Sequence, residues 1–207
     1  MQKNKALLLI SSGIDSPVAG HLMKEKGLEL IGIHFNNEPF TDSSAKNKSI
    51  KLCKLIGIKK LYIIGHGKNQ TANLRNINRR FQCVICRRMM FRVSEKIAKK
   101  EKCKFLITGE NLGQVASQTL DNLVVCQEAV KIPILRPLLC NDKVETIKIA
   151  ANIGTYETSI EPGMCCNMVP RNPLTRASLE KVKGEEKRLD INSLVDESVK
   201  SAEVVYL

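Results

Sequence analysis

The hydrophobic residues of this chain fall into two kinds of stretch, short unbroken apolar runs and longer segments with helical spacing. KALLLIS (5–11), LELIGIHF (28–35), KLYIIG (60–65) and KFLITG (104–109) are apolar on successive residues, as strands buried on both faces are. VKIPILRPL (130–138) is also strand-like, although Pro133 interrupts it. Between these runs, 16–26, 43–56, 86–102, 114–127 and 141–154 carry helical spacing, with Gly27, Gly57 and Gly154 as helix stops. The alternation predicts an α/β fold with a parallel sheet and helices on both faces. From 155 the pattern changes. A loop with Pro162, Cys165, Cys166, Pro170 and Pro173 leads to a charged helix at about 176–189, a short helix and the strand-like EVVYL. The expected organisation is one domain, 1–175, with a helical extension at 176–207 packed on it.

Composition narrows the function classes. The chain has 207 residues, 43% of them hydrophobic, enough for one sizeable core and too apolar for global disorder. No apolar run nears the roughly 20 residues that span a bilayer. The opening MQKNKALLLISSG has lysines before an apolar stretch, but that stretch is shorter than a signal core. A cytoplasmic protein without a membrane partner is expected. The net charge of +12 suits a polyanionic partner, because each neutralised phosphate releases counterions. Aromatics make up only 4%, with no Trp, which argues against a stacking platform for single strands.

Eight cysteines in a cytosolic chain of this size are not a disulfide framework. Cys53, Cys103, Cys126 and Cys140 sit singly and read as small buried hydrophobes. Cys83 and Cys86 form a C-x-x-C, and Cys165 and Cys166 are adjacent. A C-x-x-C alone suits a redox pair, half a zinc site, or two ligands of an iron–sulfur cluster. Adjacent cysteines rarely both turn toward one metal. A three-ligand set of Cys83, Cys86 and one of Cys165 or Cys166 fits a cluster with one iron left open.

The turn SSGIDS (11–16) follows the first strand and opens the first helix. In an open parallel sheet, ligands lie beyond the carboxyl ends of the strands. Small residues there let backbone N–H groups face outward, and the helix dipole adds positive potential. The turn reads as a phosphate site. It is neither a Walker loop nor a Rossmann G-x-G-x-x-G.

SSGIDS resembles the pyrophosphate loop, S-G-G-x-D-S, of ATP pyrophosphatases, the PP-loop or adenine-nucleotide α-hydrolase fold. The resemblance implies backbone freedom at Gly13, hydroxyls from Ser11 and Ser16, and Asp15 orienting Mg²⁺ or the activated group. It extends the nucleotide contacts to Leu9 and Ile10 before the turn. Ser12 stands where that family has Gly, a strained exchange if the site needs positive φ there. His34 and Phe35, at the end of the second strand, fall where the family places adenine.

TGENLGQVASQTLDNL (108–123) and CRRMMFRVSEKIA (86–98) resemble the corresponding runs of the tRNA 4-thiouridine synthetases, the tRNA sulfurtransferases. Gly109 and Gln118 match nucleotide-contacting positions, and Arg87 an ATP-contacting one. Arg88 and Arg92 are expected on a solvated i, i+4 face or on the tRNA backbone. GTYETSI, NPLTRA and the closing VDESVKSAEVVYL extend the likeness over the whole chain. The resemblance also implies that Cys83, Cys86 and a later cysteine hold a cluster, [4Fe–4S] with three cysteine ligands. Cys166 aligns without a gap with the family's persulfide-bearing position, and Cys165 needs a one-residue shift.

The implied activity is ATP-dependent thiolation of tRNA, at uridine-8, with Asp15, Ser16 and Cys166 as catalytic residues. ATP, Mg²⁺ and the cluster are the implied cofactors. The implied partners are tRNA and a sulfur donor, sulfide or a cysteine desulfurase. The chain is expected to lack the THUMP and rhodanese domains of many relatives, so a separate THUMP-type protein would supply tRNA grip; a homodimer is implied by analogy. Alternatives are thiolation of another tRNA base, or a non-catalytic ATP-binding subunit of a tRNA-modifying complex.

Overall fold

A computed structural model describes residues 4–164 and 166–207. Its centre is a six-stranded sheet of β1 (Lys5–Leu9), β2 (Glu29–Asn36), β3 (Lys60–Gly65), β4 (Phe105–Ile107), β5 (Ile134–Leu135) and β6 (Glu203–Tyr206), in the order β5-β4-β1-β2-β3-β6. The first five strands run parallel, with Leu7 opposite Ile31 and Leu106. The closing EVVYL run is the exception. It pairs antiparallel with β3, Leu61 opposite Val205, so the C-terminal segment completes the sheet edge.

The unbroken apolar runs are buried on both sides because successive side chains point to opposite faces. Leu7, Leu9, Ile31, Ile33 and Phe35 share one core with α4 (Gln82–Lys100), α8 (Leu179–Glu186) and α9 (Ile191–Lys200). Ala6, Leu8, Ile10, Leu61 and Ile63 share the other with α1 (Asp15–Glu25), α2 (Ser44–Leu55) and α6 (Lys143–Asn152). Each fully buried Leu or Ile contributes about 1.5–3 kcal/mol. Among the described residues no helix is long and apolar enough to cross a membrane.

Several elements differ from the pattern. α3 (Gly67–Asn76) buries Asn69, Gln70 and Asn73 rather than apolar residues, so no hydrophobic period marks it. α4 begins at Gln82, four residues before the expected start, and takes the C-x-x-C into its first turns. α5 (Leu120–Gln127) starts late: Gly113 has a φ of +75, a 3-10 turn covers Ala116–Gln118, and Thr119 caps the helix. A short α7 (Tyr156–Ile160) occupies the start of the expected loop.

The expectation of a solvated face for Arg88 and Arg92 is overturned. The Arg88 side chain is 1% exposed. Its Nε and Nη2 donate to Glu186 at 2.8 and 3.0 Å, and it also donates to Glu128 and to the carbonyl of Val125. Arg92 donates to both Glu186 oxygens at 2.6 and 2.9 Å. Burial alone would raise the Glu186 pKa, but the two arginines outweigh it and hold the carboxyl below its usual range. The single-cysteine reading holds for Cys53, Cys103 and Cys126, whereas Cys140 is exposed.

Glu186 is therefore the member whose loss strands buried charge. Glu186→Ala is expected to cost about 3–5 kcal/mol in urea unfolding. Glu128→Ala, at a more exposed carboxylate, is expected to cost about 1 kcal/mol or less. Equal losses would refute the assignment.

Candidate functional site

β1 lies between β2 and β4, so the strand order reverses there, and the Ser11–Ser16 turn emerges at this switch point, where open α/β sheets bind ligands. Its two serines fold it internally. Ser16 Oγ accepts the Ser11 N–H at 2.8 Å and lies 3.1 Å from Ser11 Oγ, which accepts the Gly13 N–H at 3.3 Å. No side chain caps α1 at Ile14, so the leading N–H groups and the dipole are available to an anion. Among the described residues only Lys102 has a positive φ without being glycine, so Ser12 carries no such strain. A Cβ at Gly13 would meet only Ser11 Oγ, at 3.7 Å. That glycine leaves open space above the turn rather than supplying an unusual φ.

Gly109 has a tighter constraint. A Cβ there would come within 2.6 Å of the Ser16 nitrogen and 2.7 Å of the Asp15 carbonyl carbon. The loop after β4 thus packs directly under the first turn of α1, and only glycine allows the approach. Asp15 Oδ1 accepts from Lys143 Nζ at 2.7 Å, and Lys143 also reaches Gln114 at 3.4 Å. Lys143 stands at the first position of α6, placed by the Asp142 cap. It carried no motif of its own, and its relevance follows only from this contact.

Above the turn lies a cavity of about 630 Å³. Ile10, Ser11, Ser12, Gly13, His34, Phe35, Arg87, Cys83, Cys86 and Cys166 all line it. Leu9 and Ser16 are buried and do not line it, and Asp15, Gly109 and Gln118 also lie outside the lining. Gln118 is half-buried, with its Oε1 unpaired. His34 Nδ1 lies 3.1 Å from the Ile10 carbonyl and 2.9 Å from Ser49 Oγ, while its buried Nε2 has no partner. Since Ile10 O can only accept, Nδ1 carries the proton and Nε2 is a free acceptor. Burial chiefly lowers the His34 pKa, with Lys46 adding to the effect and the Ile10 bond opposing it. Arg87 sits 3.5 Å from Glu110, which also receives Arg136 at 2.8 Å.

Cys83, Cys86 and Arg87 share one face at the start of α4, at i, i+3 and i+4. Gln70 Nε2 donates to Cys86 Sγ at 3.2 Å, and His66 Nε2 lies 3.4 Å from the same sulfur. Asn69 Nδ2 donates to His66 Nδ1 at 3.1 Å, leaving the His66 proton on Nε2, toward the sulfur. Gln82 orients Gln70 through a 2.6 Å bond. Burial pushes the Cys86 thiol up to about 12 and raises that of Cys83, with neighbouring Cys166 adding to it and Arg87 and Arg79 opposing it. The two N–H donors act against burial by favouring negative charge on Cys86 sulfur. His66 and Gln70 escaped the sequence reading because they belong to a polar stretch without periodicity.

Among the described residues no three or more His, Cys, Asp or Glu side chains are gathered as a metal-holding group. Cys165 lies outside the described residues. Lys48, a further residue without a motif, is buried and donates to the carbonyls of Ser159 and Glu161 at 2.9 and 2.6 Å. It anchors the segment that leads to Cys166.

The comparisons with known proteins agree with this geometry. Residues 1–191 match the family model described as thiamine biosynthesis protein (ThiI). A probable tRNA sulfurtransferase of Moorella thermoacetica is 43% identical over 207 residues, covering 97% of this chain and 53% of that protein. Its counterpart in Finegoldia magna is 42% identical, covering 98% and 54%. The crystal structure of a 4-thiouridine synthetase–RNA complex with bound ATP superposes with a TM-score of 0.94 at 36% identity, over 99% of this chain and 55% of that one. An NMN synthetase of Francisella tularensis, at 13% identity and a TM-score of 0.59, shares the fold. The chain spans about half the length of the relatives it matches.

Two outcomes are expected. Gly109→Ala should cost about 1–3 kcal/mol of stability and weaken pyrophosphate binding measured by titration calorimetry, because the strain falls on the turn's backbone. His34 and His66 are buried with lowered pKa values, His66 at about 4. Their contribution to stability is complete above the unfolded value of about 6.5 and is lost as pH falls toward the folded values. The urea midpoint should therefore drop between about pH 7 and pH 5, and less so in His66→Gln.

Proposed function

The chain belongs to the ThiI family, and on that premise we propose that it is the ATP-consuming part of a tRNA sulfurtransferase that converts a uridine of tRNA, uridine-8, into 4-thiouridine. The observation that carries this reading is one cavity whose wall joins an anion-cradling turn to Cys83, Cys86 and Cys166. A relative's crystal structure that holds RNA and ATP supports it.

In this reading ATP lies along the cavity, with its adenine beside His34 and Phe35. The free His34 Nε2 accepts a hydrogen bond from an amino group of the base. Uridine O4 attacks the α-phosphorus. The bond to the bridging oxygen breaks, and pyrophosphate departs onto the Ser11–Ser16 turn. Its charge meets backbone N–H groups and the positive end of α1, with Arg87 nearby. Hydrosulfide then adds at C4, its proton passes to solvent, and AMP leaves with the former O4.

The donors fit the implied ions. Mg²⁺ takes one or two carboxylates and completes its shell with phosphates and water. Asp15, held by Lys143, supplies one carboxylate, and the bound ion would neutralise phosphate charge. The thiols of Cys83, Cys86 and Cys166 suit a [4Fe–4S] cluster with three cysteine ligands, which when bound would offer sulfide at its open iron. Cys165 is the other candidate for the third ligand. His66 and Gln70 would stabilise the negative Cys86 sulfur as outer-shell donors. A second reading, a Cys166 persulfide charged with sulfane sulfur by a cysteine desulfurase, is favoured by the free, half-buried Cys166 thiol on the cavity wall. The proposed setting is a cytoplasmic homodimer, with sulfide or a cysteine desulfurase as donor and a THUMP-type unit gripping the tRNA.

The test is anaerobic incubation with ATP, a tRNA transcript and sulfide, reading AMP and thiolated nucleosides by mass spectrometry. Asp15→Ala should lose both products by about 10²-fold or more. Cys166→Ser should still form AMP and yield no 4-thiouridine. A wild-type chain that binds ATP and never forms AMP is a non-catalytic subunit, and the enzyme reading fails; sulfur found on another base would move the target alone.

A further inference from the structure

Beside the main cavity lies a second one, of about 620 Å³, that the chemistry above does not use. Its walls are Arg79, Arg80, Pro170, Arg171 and Asn172. Two separate segments supply its guanidinium groups, the 3-10 turn Arg79–Phe81 ahead of α4 and the loop that follows Cys166. The Leu174 N–H donates to the Arg80 carbonyl at 3.1 Å and ties the two segments together. Asn78 caps the turn, its Oδ1 accepting the Arg80 N–H at 3.0 Å.

All three arginines are exposed, and among the described residues none is paired with a carboxylate. Glu185, which binds next to the turn, is engaged by the Asn78 N–H at 2.8 Å and by Arg188 at 3.4 Å. Arg176, also in this C-terminal stretch, differs in facing Asp121 at 3.7 Å. Three unpaired guanidinium groups around one hollow repel each other, and an anion with several oxygens relieves that repulsion through bidentate hydrogen bonds. The hollow's Pro170 directly follows Val169, which lines the main cavity together with Cys166 and Cys83. Arg79 precedes Cys83 by one helical turn, close enough to oppose the rise in that thiol's pKa.

We propose that Arg79, Arg80 and Arg171 form a phosphodiester clamp that holds the backbone of the substrate RNA next to the nucleotide being modified. The proposal rests on the tRNA reading above and adds to it a binding site in this chain. The ligand is the RNA backbone rather than ATP, because the clamp lies outside the cavity lined by Ser11–Gly13. Phosphate contacts carry no sequence information, so the clamp fixes register and leaves base choice to the main cavity.

The test follows binding of a fluorescently labelled, unmodified tRNA transcript to the full chain by anisotropy, across about 50 to 200 mM salt. The variants are the triple Arg79→Gln, Arg80→Gln, Arg171→Gln and the matching triple to Lys. The Gln triple should weaken binding by roughly tenfold or more at low salt and flatten the salt slope by about one unit per lost phosphate contact. The Lys triple should keep most of the slope, and both should bind ATP like the wild type. An unchanged RNA affinity and slope in the Gln triple overturns the proposal and leaves an acidic protein surface as the cavity's partner. If the Gln triple also loses ATP binding, the single Arg171→Gln decides by the same slope. AMP formation judges the enzyme reading separately, so either can fail while the other stands.

Discussion

A guanidinium with almost no solvent contact anchors the helix on which the site depends. Arg88 ties α4 to α8 through Glu186 and to α5 through Val125 and Glu128. One turn of helix carries Arg88 inward and Arg87 outward, so the buried pair sets the rotation of α4. With that rotation fixed, Cys83, Cys86 and Arg87 face the cavity. A buried ion pair adds little net stability over apolar packing, but its geometry is directional. Directionality is what a helix bearing functional groups on one face requires.

The serine-rich turn at the other end of the cavity depends on a different constraint. Gly109 lets the loop after β4 pass directly beneath the first turn of α1. The two serines then close the turn on itself. An anion arriving there would meet N–H groups already aimed, with little ordering entropy left to lose on binding. Lys143 completes this end from α6 by holding Asp15.

The cysteine end of the cavity rests on a polar helix. α3 places Gln70, with His66 just before it, against Cys86, and Gln82 orients Gln70 in turn. Burial favours the neutral thiol of Cys86, whereas the two donors favour its thiolate. The proposed cluster would tip that balance toward the thiolate.

Much of the fold was legible along the chain. The apolar runs of β1 to β4 and the glycine stops after α1, α2 and α6 are local signals of burial and chain reversal. So is the serine-rich turn, whose chemistry lies in six consecutive residues. α3 was not legible, because it buries amides rather than apolar side chains and leaves no hydrophobic period. Arg88 was misread for a related reason: a charged residue looks solvated until its partner, 98 residues away, is seen. The sequence by itself determined which side chains suit phosphate and sulfur chemistry, since those side-chain types and spacings are local. Only the tertiary structure decided that they share one cavity, that Lys143 holds Asp15 and that three arginines gather beside the thiols. Those contacts join segments distant in sequence, and only the packing of helices on the sheet brings them together.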